Sequence, residues 1–166
     1  MSRYLVVVIG LLLFSGVANA EFKIGYVNLM KVLENSPQWQ DAKEKLGKEF
    51  EPRSKHLQAQ QKEIKALEDK LKRDASIMSE SEKRKIDREI LGKTRDVKRS
   101  MGEFREDVSS RQNEELQKVQ RLILEASYVL GKEEGFDIII RDMVFVSEKA
   151  NVTELVQKKL AAMKGN

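Results

Sequence analysis

The sequence predicts an α+β protein, mainly α, in which a long antiparallel helical hairpin projects from a small β-sheet or barrel body. Strand-like sequence occurs near the two ends of the chain, in "EFKIGYVN" (21–28) and "FDIIIRDMVFVS" (136–147). Between them the chain is highly charged: over its whole length 35% of residues are charged and 6% aromatic, a balance typical of long solvated helices. We therefore predict a body formed by residues 21–36 and 131–166, and an arm formed by residues 37–130.

The first 20 residues have the pattern of a cleaved signal peptide. Arg3 precedes a ten-residue apolar run, residues 5–14, and "ANA" at 18–20 has the small-residue pattern of a cleavage site. A membrane-spanning helix needs about 20 apolar residues, so the run is too short to be an anchor. We expect cleavage after Ala20 and export of a chain that begins at Glu21 and contains no cysteine. Removing Arg3 lowers the formal net charge from +4 to +3.

Capping residues define the start of the first two helices. After the first strand, Asn28 can cap a short helix over residues 29–34. Ser36 can then cap a second helix with Pro37 at its first position, where the missing amide hydrogen is not needed. We expect this second helix, the outgoing helix of the hairpin, to continue to Met78.

The outgoing helix has one regular row of apolar residues, spaced seven apart as at one seam position of a coiled coil. These residues are Phe50, Leu57, Ile64, Leu71 and Met78. The companion positions include Arg53, Gln60 and Asp74, so the predicted seam is thin. Pairs such as Glu44 with Lys48 are spaced to support the helix from its surface.

A new helix start reverses the chain. Ser79 followed by Glu82 forms a capping box, and apolar residues then recur eleven apart from Ile86 to Leu130. Gly131 and Gly135 are both candidates for the residue that ends this returning helix. The alternation after Phe136 predicts a buried strand, and Val144–Val146 a further one. Asn151 with Glu154 predicts the cap of a closing amphipathic helix.

The predicted body is too small to be stable alone. About 60 residues bury little apolar surface, and a small sheet leaves strand edges unpaired. We therefore expect an oligomer held by a shared apolar core. Its candidate residues are Phe22, Ile24, Tyr26, Ile138, Ile140 and Phe145.

The sequence gives no sign of catalytic chemistry. It has no cysteine, one histidine, no phosphate-binding G-x-x-x-x-G-K-[ST] loop and no H-E-x-x-H zinc motif. His56 lies among Lys55 and Gln58, where a solvated helix face is the simpler interpretation than a metal site. We expect no cofactor, no metal ion and no catalytic residue, and we rank an enzyme third among the possible functions.

Basic residues are concentrated in the far half of the arm. Residues 70–99 contain eleven Lys and Arg but only six Asp and Glu, which gives this segment a net charge of +5. The eleven are Lys70, Lys72, Arg73, Lys83, Arg84, Lys85, Arg88, Lys93, Arg95, Lys98 and Arg99. Either they form an ordinary solvated face, or they attract acidic unfolded chains or an anionic membrane surface. Nearer the body, Gly47 and Pro52 predict a hinge or a fixed kink.

Several segments resemble the Skp (OmpH-like) family of periplasmic chaperones in their order and spacing. They are "KIGYVN" at 23–28, Glu49-Phe50 with Arg53 and Leu57, "RQNEE" at 111–115, "GFDIII" at 135–140 and "VTELV" at 152–156. The resemblance implies a periplasmic homotrimer whose arms surround a cavity for unfolded outer-membrane proteins, and which works without ATP.

Two function classes therefore remain ahead of an enzyme. The first is an ATP-independent holdase chaperone with unfolded outer-membrane proteins as partners. Contact with an anionic membrane surface or lipopolysaccharide stays open, and no nucleic-acid partner is expected. The second is a periplasmic adaptor that uses the hairpin as a spacer. An adaptor needs a defined docking patch at the hairpin tip, whereas the tip "SIMSESEK" is rich in Ser, Glu and Lys.

Overall fold

The computed structural model describes residues 22–163, so the predicted signal peptide and its cleavage site lie outside the described residues. Seven elements follow one another along the chain. They are β1 (Ile24–Tyr26), α1 (Leu29–Glu34), α2 (Pro37–Asp74), α3 (Glu80–Glu134), β2 (Ile138–Ile140), a 3₁₀ turn (Glu148–Ala150) and α4 (Thr153–Ala162). The predicted fold class is confirmed: a long helical hairpin, α2 and α3, extends from a small body that contains the sheet.

The sheet joins the two ends of the sequence. β1 and β2 pair in parallel, with Ile24 opposite Ile138 and Tyr26 opposite Ile140. On the other side of β1, the amide of Val152 donates to the carbonyl of Tyr26 at 2.8 Å. The amide of Asn28 donates to Oγ1 of Thr153 at 3.0 Å, which fixes the start of α4 beside β1.

The hydrophobic core lies beneath this sheet, where the base of the arm meets α1 and α4. Ile123 and Ala126 of α3, Val32 of α1 and Val156 of α4 are all completely buried. The remaining members of the cluster are Val27, Leu33, Val119, Leu130, Val152 and Leu160. The base of the arm is therefore packed into the body.

The predicted helix starts are confirmed in the hairpin. Oδ1 of Asn28 accepts a hydrogen bond from the amide of Lys31, and Oγ of Ser36 accepts one from the amide of Trp39. At the tip, Ser79 and Glu82 form the complete capping box. Each start is fixed by a side chain that replaces a missing backbone acceptor, which is why the sequence locates it well.

The predicted helix ends are less accurate. α2 ends at Asp74, four residues before Met78, and the amides of Ile77 and Met78 both donate to the carbonyl of Asp74. α3 continues through Gly131 to Glu134, and Gly135 provides the left-handed cap with φ of 66°. Gly131 has a packing role instead, since a Cβ there would lie 3.3 Å from Cδ1 of Ile139.

The predicted strand at Val144–Val146 is wrong for the single chain, in which these residues form no strand. Asp142 adopts a positive φ of 60° and turns the chain away from the sheet. Val144 is fully exposed and Phe145 is 82% exposed, and the sheet of the described residues contains β1 and β2 alone.

The predicted cap of the last helix is also displaced by one residue. α4 begins at Thr153 with Val152 in the cap position. Oδ1 of Asn151 accepts the amide of Thr153 at 3.1 Å, a local turn that precedes the helix.

Candidate functional site

The arm has a thin apolar seam, as its sequence predicts. Leu57 and Val97 are buried, whereas Phe50, Ile64 and Leu71 are only half-buried. The rings of Phe50 and Phe104 meet edge to face with centroids 5.7 Å apart. A seam of this width leaves apolar atoms accessible along the hairpin.

Charged residues take the companion positions of the seam. The guanidinium of Arg53 lies 5.7 Å from the ring centroid of Phe104 and pairs with Asp107 across the hairpin. Near the tip, Nζ of Lys93 reaches Oε2 of Glu63 at 3.1 Å. The two helices are therefore joined by ion pairs where apolar residues are missing.

Arg111 is the centre of the largest ionic network at the base of the arm. It reaches Oε1 of Glu49 on α2 at 3.4 Å and Oε1 of Glu115 at 3.3 Å, and it also pairs with Glu114. Its hydrogen bonds, first to Glu114 and then to Glu49, raise the pKa of Arg111. The hydrogen bond from Lys118 is the main cause of a lowered pKa at Glu115. The network holds α2 and α3 together close to Pro52.

The tip of the arm is held by carboxylates at the end of α2 and the start of α3. The hydroxyl of Ser79 and then its amide donate to Glu82 and lower the pKa of that carboxyl group. A hydrogen bond from Arg73 likewise lowers the pKa of Asp74. Ile77, between them, is 84% exposed.

The structure places all eleven predicted basic residues on the distal part of the hairpin, and all but Lys83 and Lys93 are classed as exposed. Arg73, Lys83, Lys93 and Arg99 form ion pairs with Asp74, Glu80, Glu63 and Asp96. The other seven form no ion pair within residues 22–163. Residues 70–99 therefore carry a net charge of +5, with seven basic side chains outside ion pairs.

The six predicted oligomerisation residues lie outside the core of the single chain. Phe22, Ile24, Ile138 and Phe145 are between 43% and 82% exposed. Tyr26 and Ile140 are half-buried and occupy opposite positions in the sheet.

Sequence reasoning missed two residues that adjoin this surface. Leu124 and Tyr128 of α3 are 50% and 64% exposed and line a groove of about 390 Å³ together with Ile138 and Ile140. They lie four residues apart on a face of α3 different from the core. A second apolar row at helical spacing was the signal that could have identified them.

The predicted hinge residues lie within an unbroken helix. α2 continues through both Gly47 and Pro52. A Cβ at Gly47 would have no atom within 4 Å, so the glycine is not required by packing within the described chain.

The described residues offer no alternative site of a familiar chemical kind. His56 is exposed, and no cluster of three or more His, Asp or Glu suited to a metal ion occurs between residues 22 and 163. Over the same residues, no helix has the length and apolar character needed to cross a membrane.

Comparison with known proteins identifies the architecture. The family described as "Outer membrane protein (OmpH-like)" matches residues 23–160, which include both the body and the hairpin. The chain belongs to the OmpH-like family. A Vibrio cholerae relative named "Chaperone protein Skp" is 30% identical to this OmpH-like chain, over 89% of each sequence. A Photorhabdus luminescens relative of the same name is 29% identical over 90% of this chain and 92% of the relative.

A solved structure agrees with the fold of this OmpH-like protein. It is described as an OmpH-like outer membrane chaperone from Caulobacter crescentus and superposes with a TM-score of 0.73 over 85% of each chain. The sequence identity is 9%, so the likeness concerns the fold alone.

Proposed function

We propose that this OmpH-like protein is a periplasmic chaperone that holds unfolded outer-membrane proteins between its arms without ATP and prevents their aggregation. The observation that carries the proposal is the family match over residues 23–160, together with relatives named chaperones. The half-buried seam supports it, because exposed apolar atoms along a stiff arm can make many weak contacts with an unfolded chain.

The proposal includes export and assembly. Residues 1–20 are the signal peptide, and residues 21–36 with 131–166 form the body through which copies associate as a homotrimer. The exposure of Phe22, Ile24, Ile138 and Phe145 supports association through this surface. Among residues 22–163 the outer edge of β2 has no partner, which supports association as well, because an unpaired strand edge readily accepts another strand.

The proposal also gives the distal arm a role in capture. The eleven basic residues attract acidic unfolded chains, and they provide a surface for anionic membrane lipids or lipopolysaccharide. Seven of the eleven form no ion pair within residues 22–163, which supports this role, since unpaired surface charge steers encounters with oppositely charged partners.

A periplasmic adaptor is the alternative, with the hairpin as a spacer. Ile77 at the tip is 84% exposed, but a single apolar side chain is smaller than the patches of several hundred Å² that mark docking sites. The tip therefore favours the chaperone. No nucleotide, metal ion or catalytic residue is required by the proposed function.

An aggregation-suppression assay tests the proposal. A urea-denatured outer-membrane β-barrel protein is diluted with or without the OmpH-like protein, and light scattering is followed in the absence of nucleotide. We expect scattering to fall as the chaperone concentration approaches that of the client. Unchanged scattering at a several-fold excess would contradict the chaperone function.

A further inference from the structure

An open apolar groove lies on one side of the arm near the body. Leu46 and Phe50 of α2 face Phe104 and Val108 of α3 across a space of about 420 Å³. Lys43 and Glu51 stand at its rim and carry opposite charges. The groove lies on the arm and is separate from the apolar surface of the body.

Gly47 opens this groove. It lines the space, it is exposed, and a side chain there would meet no atom within 4 Å. A glycine inside a helix is less stabilising than an alanine. No close packing, turn or positive φ explains the residue, so its effect in the structure is to leave the space open.

The groove continues toward the tip. Ser54 and Phe104 also line a second, smaller space of about 230 Å³, which extends to Leu57 and Met101. The residues on α2 that line the two spaces recur at helical spacing, so both lie on one side of the hairpin. Phe104 separates them.

We infer that the groove at Gly47 binds aromatic side chains of the unfolded client, an inference that rests on the proposed function. An apolar cavity of about 150 Å³ is large enough for a benzene molecule, so the volume admits an aromatic ring. The edge-to-face pair of Phe50 and Phe104 offers ring faces and edges to a third ring. Outer-membrane barrels carry girdles of aromatic residues, so such clients supply these side chains in every few strands. Lys43 and Glu51 carry opposite charges, so the rim has no net charge that would favour acidic or basic side chains of the client.

The test fills the groove from Gly47. Gly47→Leu places an apolar side chain in the open space and is compatible with the helix. Gly47→Ala removes the glycine but leaves most of the space, so it separates groove filling from helix stiffening. Gly92→Leu is the matched control, because Gly92 is also an exposed helical glycine with no atom within 4 Å of a Cβ.

The probes are a urea-denatured outer-membrane β-barrel protein and a variant of it with its Phe, Tyr and Trp residues replaced by Leu. We expect Gly47→Leu to bind the aromatic-containing client about tenfold more weakly than wild type, since part of the burial of an aromatic side chain is lost. Gly47→Ala should weaken this binding less than Gly47→Leu does, and Gly92→Leu should bind the client as wild type does. For the Leu-substituted client, wild type and Gly47→Leu should be alike.

Each other outcome overturns the inference. Equal binding of the aromatic-containing client by wild type and Gly47→Leu would show that the groove is unused. Equal weakening of both clients would show that it has no preference for aromatic rings. A changed sedimentation coefficient for Gly47→Leu would show that another copy of the chain occupies it. In all three cases wild type still suppresses aggregation, whereas its failure to bind either client would contradict the proposed function itself.

Discussion

Ile138 starts β2, yet 43% of its side chain is exposed, and it lies beside the exposed Leu124 and Tyr128 in the same groove. The three side chains together form an apolar surface that another chain can cover. In the proposed assembly, the covering surface is supplied by another copy of the body.

We expect Ile138→Asp to dissociate the oligomer, because an unpaired carboxylate in an apolar interface costs several kcal/mol. Ile77→Asp, at an isoleucine still more exposed but at the far end of the arm, should leave the oligomer intact. Sedimentation velocity measures both variants. An unchanged oligomer for Ile138→Asp, or a monomeric wild type, would show that the body does not assemble through this surface.

Glu82 predicts a local response to acid at the arm tip. Its pKa is lowered by Ser79, so the capping box stabilises the tip fully above the ordinary pKa of about 4.5. That stabilisation is lost as the pH falls through the lower pKa of the folded state. We expect the protection factors of the amides in the first turn of α3, which correct for the pH dependence of intrinsic exchange, to fall as the pH drops below 4.5.

Glu82→Gln is the control for this effect, because glutamine can fill the same place in a capping box without titrating. The protection factors in the first turn of α3 should vary less with pH in this variant than in wild type. An equal loss of protection in both proteins would assign the effect to other carboxylates of the tip.

At the scale of elements, the sequence predicts where helices start better than where they end. Asn28, Ser36 and Ser79 each begin a helix as expected, because a short polar side chain at the cap is a local requirement. The end of α3 depends on distant packing: Gly131 is small because Ile139 approaches it, and only Gly135 has the left-handed conformation. Spacing along one segment contains no information about such an approach.

The expected strand at Val144–Val146 shows a second limit. Its residues have high strand propensity, but a strand exists only with a partner, and within residues 22–163 this segment pairs with none. Sequence periodicity also found the seam of the arm but not the groove at Gly47. The groove depends on which residues of α2 and α3 stand opposite each other.

The hinge is a prediction about one element, α2. Pro52 removes a helical hydrogen bond and crowds the preceding turn, at a cost of about 3 kcal/mol, and Gly47 adds flexibility nearby. Two contacts between α2 and α3 oppose bending there, Glu49 with Arg111 and Arg53 with Asp107. We expect the arm to bend at this point by breaking them.

A single spin label at Ser76→Cys in the tip turn tests the hinge, because the chain has no other cysteine. Distances between the labels of assembled copies should be broadly distributed in wild type. They should narrow when Gly47→Ala and Pro52→Ala are combined, since both changes stiffen α2. The same breadth in both proteins would favour a fixed kink.

At the scale of the whole molecule, charge is separated along the arm. Replacing Lys83, Arg84, Lys85 and Arg88 by Gln lowers the net charge of residues 70–99 from +5 to +1. We expect slower association with an acidic unfolded barrel protein and a smaller dependence on salt, because exposed charges are screened over about 8 Å at physiological ionic strength. Stopped-flow fluorescence at low and high salt measures the rates.

The matched control removes four positive charges from the base of the arm, with Lys45, Lys48, Lys55 and Arg121 replaced by Gln. The net charge of the chain is then the same, and association should stay closer to that of wild type. If the distal variant associates as fast as wild type at low salt, the basic residues form only a solvated face.

The parallel pairing of β1 with β2 determines which part of the protein can fold first as the chain is made. The amide of Lys23 donates to Oδ2 of Asp137 across a sequence separation of 114 residues, and the sheet closes over the same distance. The hairpin, by contrast, can form outward from the local turn at Ser79, because its first contacts close only a short loop and therefore cost little conformational entropy. In the proposed export, a chain that emerges N-terminus first therefore carries β1 without its partner until β2 has also crossed the membrane. For that interval the protein itself presents an open strand edge, as its proposed clients do, and its folding waits for the segment that contains β2.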